Sequence, residues 1–201
     1  MRSKLKTNRD FNGVNDKLYF LVKEYIELIG VDRITQNLIE VQQVIEYLKN
    51  RKFNKYADVG LSFSGSLWLY ANLLCSETAN VWGIDIRVMN STATIIKDTL
   101  KKKGQSVKLI QGDSKYIGKQ LKEKFDLVHI DAQHGYGDVS EDFFIYYNKL
   151  IKNGVIILHD TLLQQGCIQF RKELEKTHNI ITFSSGEERT MGVSVVIKEE
   201  K

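Results

Sequence analysis

Asp58-Val59-Gly60-Leu61-Ser62-Phe63-Ser64-Gly65-Ser66 joins an apolar run ending at Val59 to a helical pattern that begins near Ser66. Leu67, Tyr70, Ala71 and Leu74 recur at the i, i+3, i+4, i+7 spacing of one helix face. The stretch therefore predicts a strand, a tight polar turn and a helix N-terminus. A helix start aims unpaired backbone N–H groups and a partial positive charge at whatever lies over the turn. Gly60 and Gly65 let the backbone turn sharply and let a ligand approach closely. Ser62 stands where a Gly-x-Gly-x-x-Gly fingerprint has its middle glycine, so the turn taken alone also fits an ordinary strand-to-helix loop.

Downstream of that turn, short apolar runs alternate with helical patterns. Tyr56 to Val59, Val81 to Ile86, Val107 to Gln111, Asp126 to Ile130 and Val155 to Leu158 read as five strands. Helices are predicted near 66–75, 91–103, 115–123 and 138–150; Lys101-Lys102-Lys103 followed by Gly104 is a helix stop with a dipole rationale. Buried strands linked by helices of this length pair in parallel through right-handed crossovers. The pattern predicts a doubly wound α/β sheet with helices on both faces, its ligand beyond the carboxyl ends of the strands. After a helix near 164–177, the strands Asn179 to Ser184 and Met191 to Lys198 are separated by too short a link to be parallel neighbours. The sheet thus gains a C-terminal antiparallel hairpin and reaches seven strands.

Upstream, residues 18, 21, 22, 25, 26 and 29 mark an amphipathic helix from Asp16 to Ile29, closed by Gly30. A second helix is predicted from Ile34 to Leu48, with Asp32 as its N-cap and Ile34, Leu38, Val41, Ile45 and Leu48 on one face. Residues 1–15 are polar, basic and aperiodic, and read as a loose tail or lid. Residues 1–54 are expected to form a helical lid or cap on the α/β unit of 55–201, within one domain.

The bulk numbers exclude several classes. At 201 residues, 42% hydrophobic and 27% charged, the chain has the balance of one globular domain. A net charge of +4 is too mild and scattered to argue for nucleic acid, although Arg2, Lys4 and Lys6 carry part of it. No run approaches the length of a membrane span and no charged-then-apolar leader opens the chain. Cys75 and Cys167 lack metal-type spacing and read as buried free thiols, which suits a cytoplasmic location.

Polar residues collect at the strand ends. Asp58, Asp85, Asp113-Ser114, Asp131-Ala132-Gln133-His134-Gly135-Tyr136 and His159-Asp160-Thr161 follow strands one to five. One such aspartate could be a helix cap. Five on one rim suggest a ligand site, because crowded carboxylates repel unless cations or donors meet them. A carboxylate after the second strand can accept both ribose hydroxyls, and one after the third can accept from an adenine amine. An adenosine-bearing cofactor along the rim fits the series.

These residues resemble the class I methyltransferases that use S-adenosylmethionine, over about 55–198. Asp58-x-Gly60-x-x-x-Ser64-Gly65-Ser66 resembles their first motif. Phe125-Asp126-Leu127-Val128-His129-Ile130-Asp131-Ala132-Gln133-His134-Gly135-Tyr136 is similar to the "FDLIFIDGDHSYE" pattern of a subgroup with small-molecule and sugar O-methyltransferases, and Lys152 to Asp160 to its "KPGGIIAFHD" pattern. The resemblance implies a Rossmann-like fold. It also implies a cofactor site of Asp58, Gly60, Ser64, Gly65, Ser66, Asp85, Ile86, Asp113, Ser114 and Asp131. In it Asp85 would hold the ribose, and Asp113 with Ser114 would meet adenine. Some relatives bind a divalent metal at positions matching Asp131, His159 and Asp160. Histidine in that set disfavours magnesium and suits manganese, iron or zinc; alternatively Asp160 caps the next turn and His159 packs. His134 is the candidate general base, since histidine titrates in the useful range; alternatively it packs beside the adenosine or Tyr136 and moves no proton. Asp131 could orient it, bind metal or hold the cofactor's amino group.

The expected reaction is methylation of a hydroxyl on a small molecule or sugar, with no nucleic-acid or membrane partner and a homodimer left open. Residues 1–50, the loop after Asp160 and the Gly186–Thr190 turn would shape the acceptor pocket. A nicotinamide-dependent oxidoreductase and a non-catalytic scaffold are the alternatives. The degenerate glycine turn and terminal hairpin argue against the first, and the retained rim residues against the second.

Overall fold

A computed structural model describes residues 9–87, 91–187 and 190–199. The basic residues at 2, 4 and 6 and the part of the acceptor turn at 188–189 lie outside the described residues. The elements are α1 (Asp16–Ile29), α2 (Leu38–Tyr47), β1 (Phe53–Val59), α3 (Gly65–Leu73), β2 (Cys75–Asp85), α4 (Ser91–Lys102), β3 (Ser106–Gln111), α5 (Ser114–Gln120), β4 (Phe125–Ile130), α6 (Tyr136–Lys149), β5 (Leu150–Leu158), α7 (Gln165–Leu174), β6 (Ile180–Phe183) and β7 (Val193–Ile197).

The strands form one seven-stranded sheet in the order β3-β2-β1-β4-β5-β7-β6. β1 to β5 pair in parallel, while β7 pairs antiparallel with both β5 and β6. This is the expected doubly wound sheet with its antiparallel C-terminal hairpin. The strand order reverses between β1 and β4, and the crevice of such a sheet opens there. Alternate residues of each strand face opposite layers. Tyr56, Leu127, Val155, Ile157, Val193 and Val195 pack under α1 to α4, and Ala57, Val59, Val128, Ile130, Ile156 and Val196 over α6 and α7. Leu18, Val22, Tyr25, Leu38, Val41 and Val44 of the first two helices belong to the same buried cluster as the sheet residues. Among the described residues, no helix is long and apolar enough to cross a membrane.

Three expectations need correction. α2 begins at Leu38, with Asn37 as the N-cap whose side chain accepts from the Ile39 and Glu40 N–H groups. Asp32 accepts from the Ile34 N–H at 3.1 Å and is ion-paired with Arg9 at 2.7 Å, so it anchors an extended lead-in to α2. Arg9 thereby ties residues 9–15 into the fold at their start, which a loose tail would not do. β2 starts at Cys75, six residues ahead of the expected Val81, because its partly exposed first half is polar and carries no apolar signal.

Candidate active site

The β1–α3 turn is shaped from within. Gly60, Ser62 and Ser64 all have positive φ (91°, 46° and 61°), and the Tyr25 hydroxyl donates to the Phe63 carbonyl at 2.7 Å. Asp85, at the end of β2, accepts from the Leu61 N–H at 2.7 Å and the Ser62 N–H at 3.0 Å through Oδ2, and from the Arg87 N–H at 2.8 Å through Oδ1. The first amides of the turn are therefore engaged by Asp85 and are not offered to a ligand, against expectation. A Cβ on Gly60 would stand 2.0 Å from the Asp131 carbonyl oxygen. Glycine is required there by the close approach of the β1 and β4 ends. A Cβ on Gly65 would stand 3.0 Å from Gln36 Oε1 and 3.1 Å from Ile34 Cα, so the glycine admits the lead-in to α2.

A cleft lies over this switch point. The ends of β1 and β2 contribute Gly60, Ser62, Ile84, Asp85 and Ile86 to its lining, and those of β3 and β4 contribute Gly112, Asp113, Ser114, Asp131, Ala132 and Gln133. Asp113 caps α5, with Oδ1 accepting from the Lys115 and Tyr116 N–H groups at 3.0 Å each. The Tyr116 amide, foremost, holds its carboxyl below the usual range. Ser114 Oγ donates to Asp142 Oδ1 at 2.6 Å; burial pushes the Asp142 carboxyl up.

The other expected cofactor residues lie elsewhere. Asp58, Ser64, Gly65 and Ser66 do not line the cleft. Asp58 is fully buried, accepting from Ser66 Oγ at 2.8 Å and lying 2.7 Å from His129 Nδ1. The cause is strand alternation: Asp58 sits opposite His129 in the sheet and faces the α3 layer with it.

Beside the cleft, β4 and β5 bring a charged cluster together. His134 Nε2 lies 3.0 Å from Asp160 Oδ2 and 3.5 Å from Asp131 Oδ1. His159 Nδ1 lies 3.4 Å from Asp131 Oδ2 and 3.4 Å from Asp160 Oδ1. Asp160 holds a left-handed backbone (φ 57°), uncommon outside glycine and kept where surrounding structure imposes it. Its carbonyl, not its carboxylate, accepts from the Leu163 and Gln164 N–H groups, so the side chain is no cap. The His134 loop is backed by α7, where a Cβ on Gly166 would meet the His134 carbonyl at 2.2 Å.

The electrostatics follow from this crowding. Hydrogen bonds to Asp131 and then Asp160 raise His134 to about 9. Burial opposes the charge on His159, yet attraction to Asp131 and contacts with both carboxylates raise it to about 10. Burial likewise opposes ionisation of Asp131, but His159 and His134 hold it well below the usual range. Asp160, facing the same opposition, is lowered to about 2.

Among the described residues, Asp131, His134 and Asp160 place one ligand atom each within 4.8 Å of one another. Two carboxylate oxygens and an imidazole nitrogen at this spacing fit a divalent transition ion. The expected set named His159 with these carboxylates, and its Nδ1 lies 3.4 Å from each of them. Gln36, Glu40, His129 and Asp142 are the buried polar residues around the site that sequence reasoning missed.

Residues 60–161 match a family described as a methyltransferase domain. No curated protein matches the chain. The fold resembles an O-methyltransferase of tomaymycin synthesis from Streptomyces achromogenes, solved with SAM (15% identity, 94% of each chain covered, TM-score 0.68). It also resembles an O-methyltransferase from Bacillus cereus in complex with SAH (14% identity, 94% of each chain, TM-score 0.65). A methyltransferase from Geobacter sulfurreducens shares the fold as well (16% identity, 93% of this chain and 90% of that one, TM-score 0.63).

Proposed function

Because the chain belongs to this methyltransferase-domain family, we propose that it transfers a methyl group from S-adenosylmethionine to a hydroxyl of a small molecule. One observation carries the cofactor: Asp85, Ile86, Asp113 and Ser114 line one cleft at the switch point. That set suits a ribose on Asp85 and an adenine edge on Asp113 and Ser114, with Ile86 against the ring. The solved O-methyltransferases of this fold with SAM or SAH support the same choice.

Methyl transfer is an in-line displacement in which the acceptor oxygen bonds to the methyl carbon as the carbon–sulfur bond breaks and its electron pair goes to sulfur. Positioning supplies much of the rate, and the hydroxyl proton passes to solvent water as the oxygen is methylated. We assign Asp131, His134 and Asp160 to a divalent cation. Such an ion supplies Lewis acidity that lowers the pKa of an acceptor hydroxyl. His134 would hold such an ion through a deprotonated Nε2, so the same nitrogen would not also serve as base. His159 balances the charge of the two carboxylates. In this reading α1, α2 and their lead-in form the lid, and the acceptor lies between them and the loop after Asp160. The two buried, unpaired thiols of Cys75 and Cys167 support a cytoplasmic location.

The test is calorimetry with S-adenosylhomocysteine, then with manganese, on the purified chain. Saturable binding of both is expected. Tighter binding of a nicotinamide dinucleotide than of S-adenosylhomocysteine would sink the cofactor assignment. Full methyl transfer in chelator, with no metal in elemental analysis, would remove the cation.

A further inference from the structure

Gln36 stands between the N-terminal helices and the charged cluster. It precedes the N-cap of α2 and is only 3% exposed. Its Nε2 donates to Asp131 Oδ2 at 3.3 Å. Its Oε1 is buried without a partner. A buried amide with one end unsatisfied is costly and calls for an explanation.

The lead-in that carries it is pinned from outside. Arg9 donates to the Gln36 carbonyl at 3.1 Å, to the Ile34 carbonyl, and to Asp32 Oδ2 at 2.7 Å. One helical turn further along, buried Glu40 accepts from the Gly192 N–H at 3.1 Å and the Ser185 N–H at 3.3 Å, and from the Thr190 hydroxyl. The Gly192 carbonyl in turn accepts from the Thr161 N–H at 3.0 Å, next to Asp160. The start of α2 is thereby braced, through the β6–β7 loop, against the loop that carries Asp160.

The two oxygens of Asp131 have different neighbours. Gln36 and His159 approach Oδ2, while Oδ1 faces His134. A glutamine amide is an uncharged donor. It can fix a carboxylate's rotation without adding a cation to a site that must accept one.

We propose that Gln36 is a positioning residue: its amide holds the Asp131 carboxylate so that Oδ1 is turned toward His134 and Asp160 for cation binding, and Arg9 holds Gln36 in place from outside the site. The proposal rests on the cation assignment above.

The experiment is manganese titration of the full chain without cofactor, for the wild type, Gln36→Leu and Arg9→Ala, with S-adenosylhomocysteine affinity measured alongside. Partners that orient a metal ligand are worth about tenfold or more in metal affinity. Gln36→Leu is expected to weaken manganese binding about tenfold while S-adenosylhomocysteine affinity stays within about twofold. Arg9→Ala should weaken manganese in the same direction and by less, and it tests the idea independently if the buried variant folds poorly. Manganese affinity equal to wild type in both variants overturns the role of Gln36. Parallel loss of S-adenosylhomocysteine and manganese also overturns it, because general damage to the site does that. A wild type that binds S-adenosylhomocysteine but no manganese removes the cation and this inference together, and leaves the methyl donor standing.

Discussion

His129 Nδ1 lies 2.7 Å from Asp58 Oδ1, and neither side chain reaches solvent. With Ser66 Oγ donating to the other carboxylate oxygen, the pair ties β1, β4 and the start of α3 together beneath the cleft.

Asp58 is therefore expected to act on stability and not on the cofactor. Asp58→Ala would leave His129 and Ser66 unpaired in the core, at about 2–5 kcal/mol. Urea denaturation should show that loss. Calorimetry on the folded fraction should show S-adenosylhomocysteine affinity within about twofold of wild type. Unchanged stability with lost cofactor binding would place Asp58 in the ligand site after all.

Asp85→Ala is expected to cost about 1–3 kcal/mol of S-adenosylhomocysteine affinity, since it removes a charged acceptor of ribose hydroxyls. The same change frees the Leu61 and Ser62 amides that shape the turn. Asp85→Asn keeps an oxygen for the turn and loses the charge, so it should fall between alanine and wild type. Affinity unchanged in both variants would move the ribose elsewhere.

Stability without metal should peak near neutral pH and fall on both sides. His134 and His159 are raised, to about 9 and about 10. Their contribution is fully present below the unfolded histidine value near 6.5 and is lost as pH rises through about 9 to 10. Asp131 and Asp160 are lowered, Asp160 to about 2. Their contribution is present above about 4 and is lost as pH falls toward 2. Melting temperatures measured across this range should trace both flanks, and Asp160→Asn should flatten both. Manganese affinity should rise with pH up to about 9, because the His134 proton competes with the ion.

Gly60→Ala and Gly65→Ala should differ in kind. The first drives a Cβ into the Asp131 backbone at 2.0 Å with φ at 91°, and should cost more than about 3 kcal/mol or prevent folding. The second presses on Gln36 and Ile34 at 3.0–3.1 Å, so the lead-in to α2 yields. In manganese titrations Gly65→Ala and Gln36→Leu should be less than additive, because both release the same contact. Strict additivity would separate Gly65 from Gln36.

Much of the sheet was legible because buried parallel strands read as unbroken apolar runs, as Val155 to Leu158 does. The polar first half of β2, Ser76 to Asn80, was not, since it lies partly exposed and carries no period. Ile34 misled for a different reason. It keeps helical spacing with Leu38 and Val41 and is buried, but it reaches the core from an extended segment. At the site, the carboxylates at strand ends were visible, yet which of them meet the cleft depends on alternation. Asp58, one residue before the end of its strand, turned inward. Gln36 and Glu40 were invisible, because a polar residue beside or within an amphipathic helix reads as its wet face. Only the packing of α2 against the β4, β5 and β7 loops buries them.

β7 is the last described strand in the chain, yet it lies between β5 and β6 in the sheet. On a ribosome, residues up to about 190 emerge while the outer edge of β5 is still open. Met191 and Gly192, whose carbonyls take the Leu162 and Thr161 amides next to Asp160, come later. Domains can acquire structure as they are synthesised, but this one cannot close its acidic rim early. A nascent or truncated chain ending before Gly192 would expose an unpaired strand edge, a template for aggregation, and would carry an unassembled cluster. The assembly of the Asp131, His134 and Asp160 cluster and the synthesis of β7 are thus coupled by strand order.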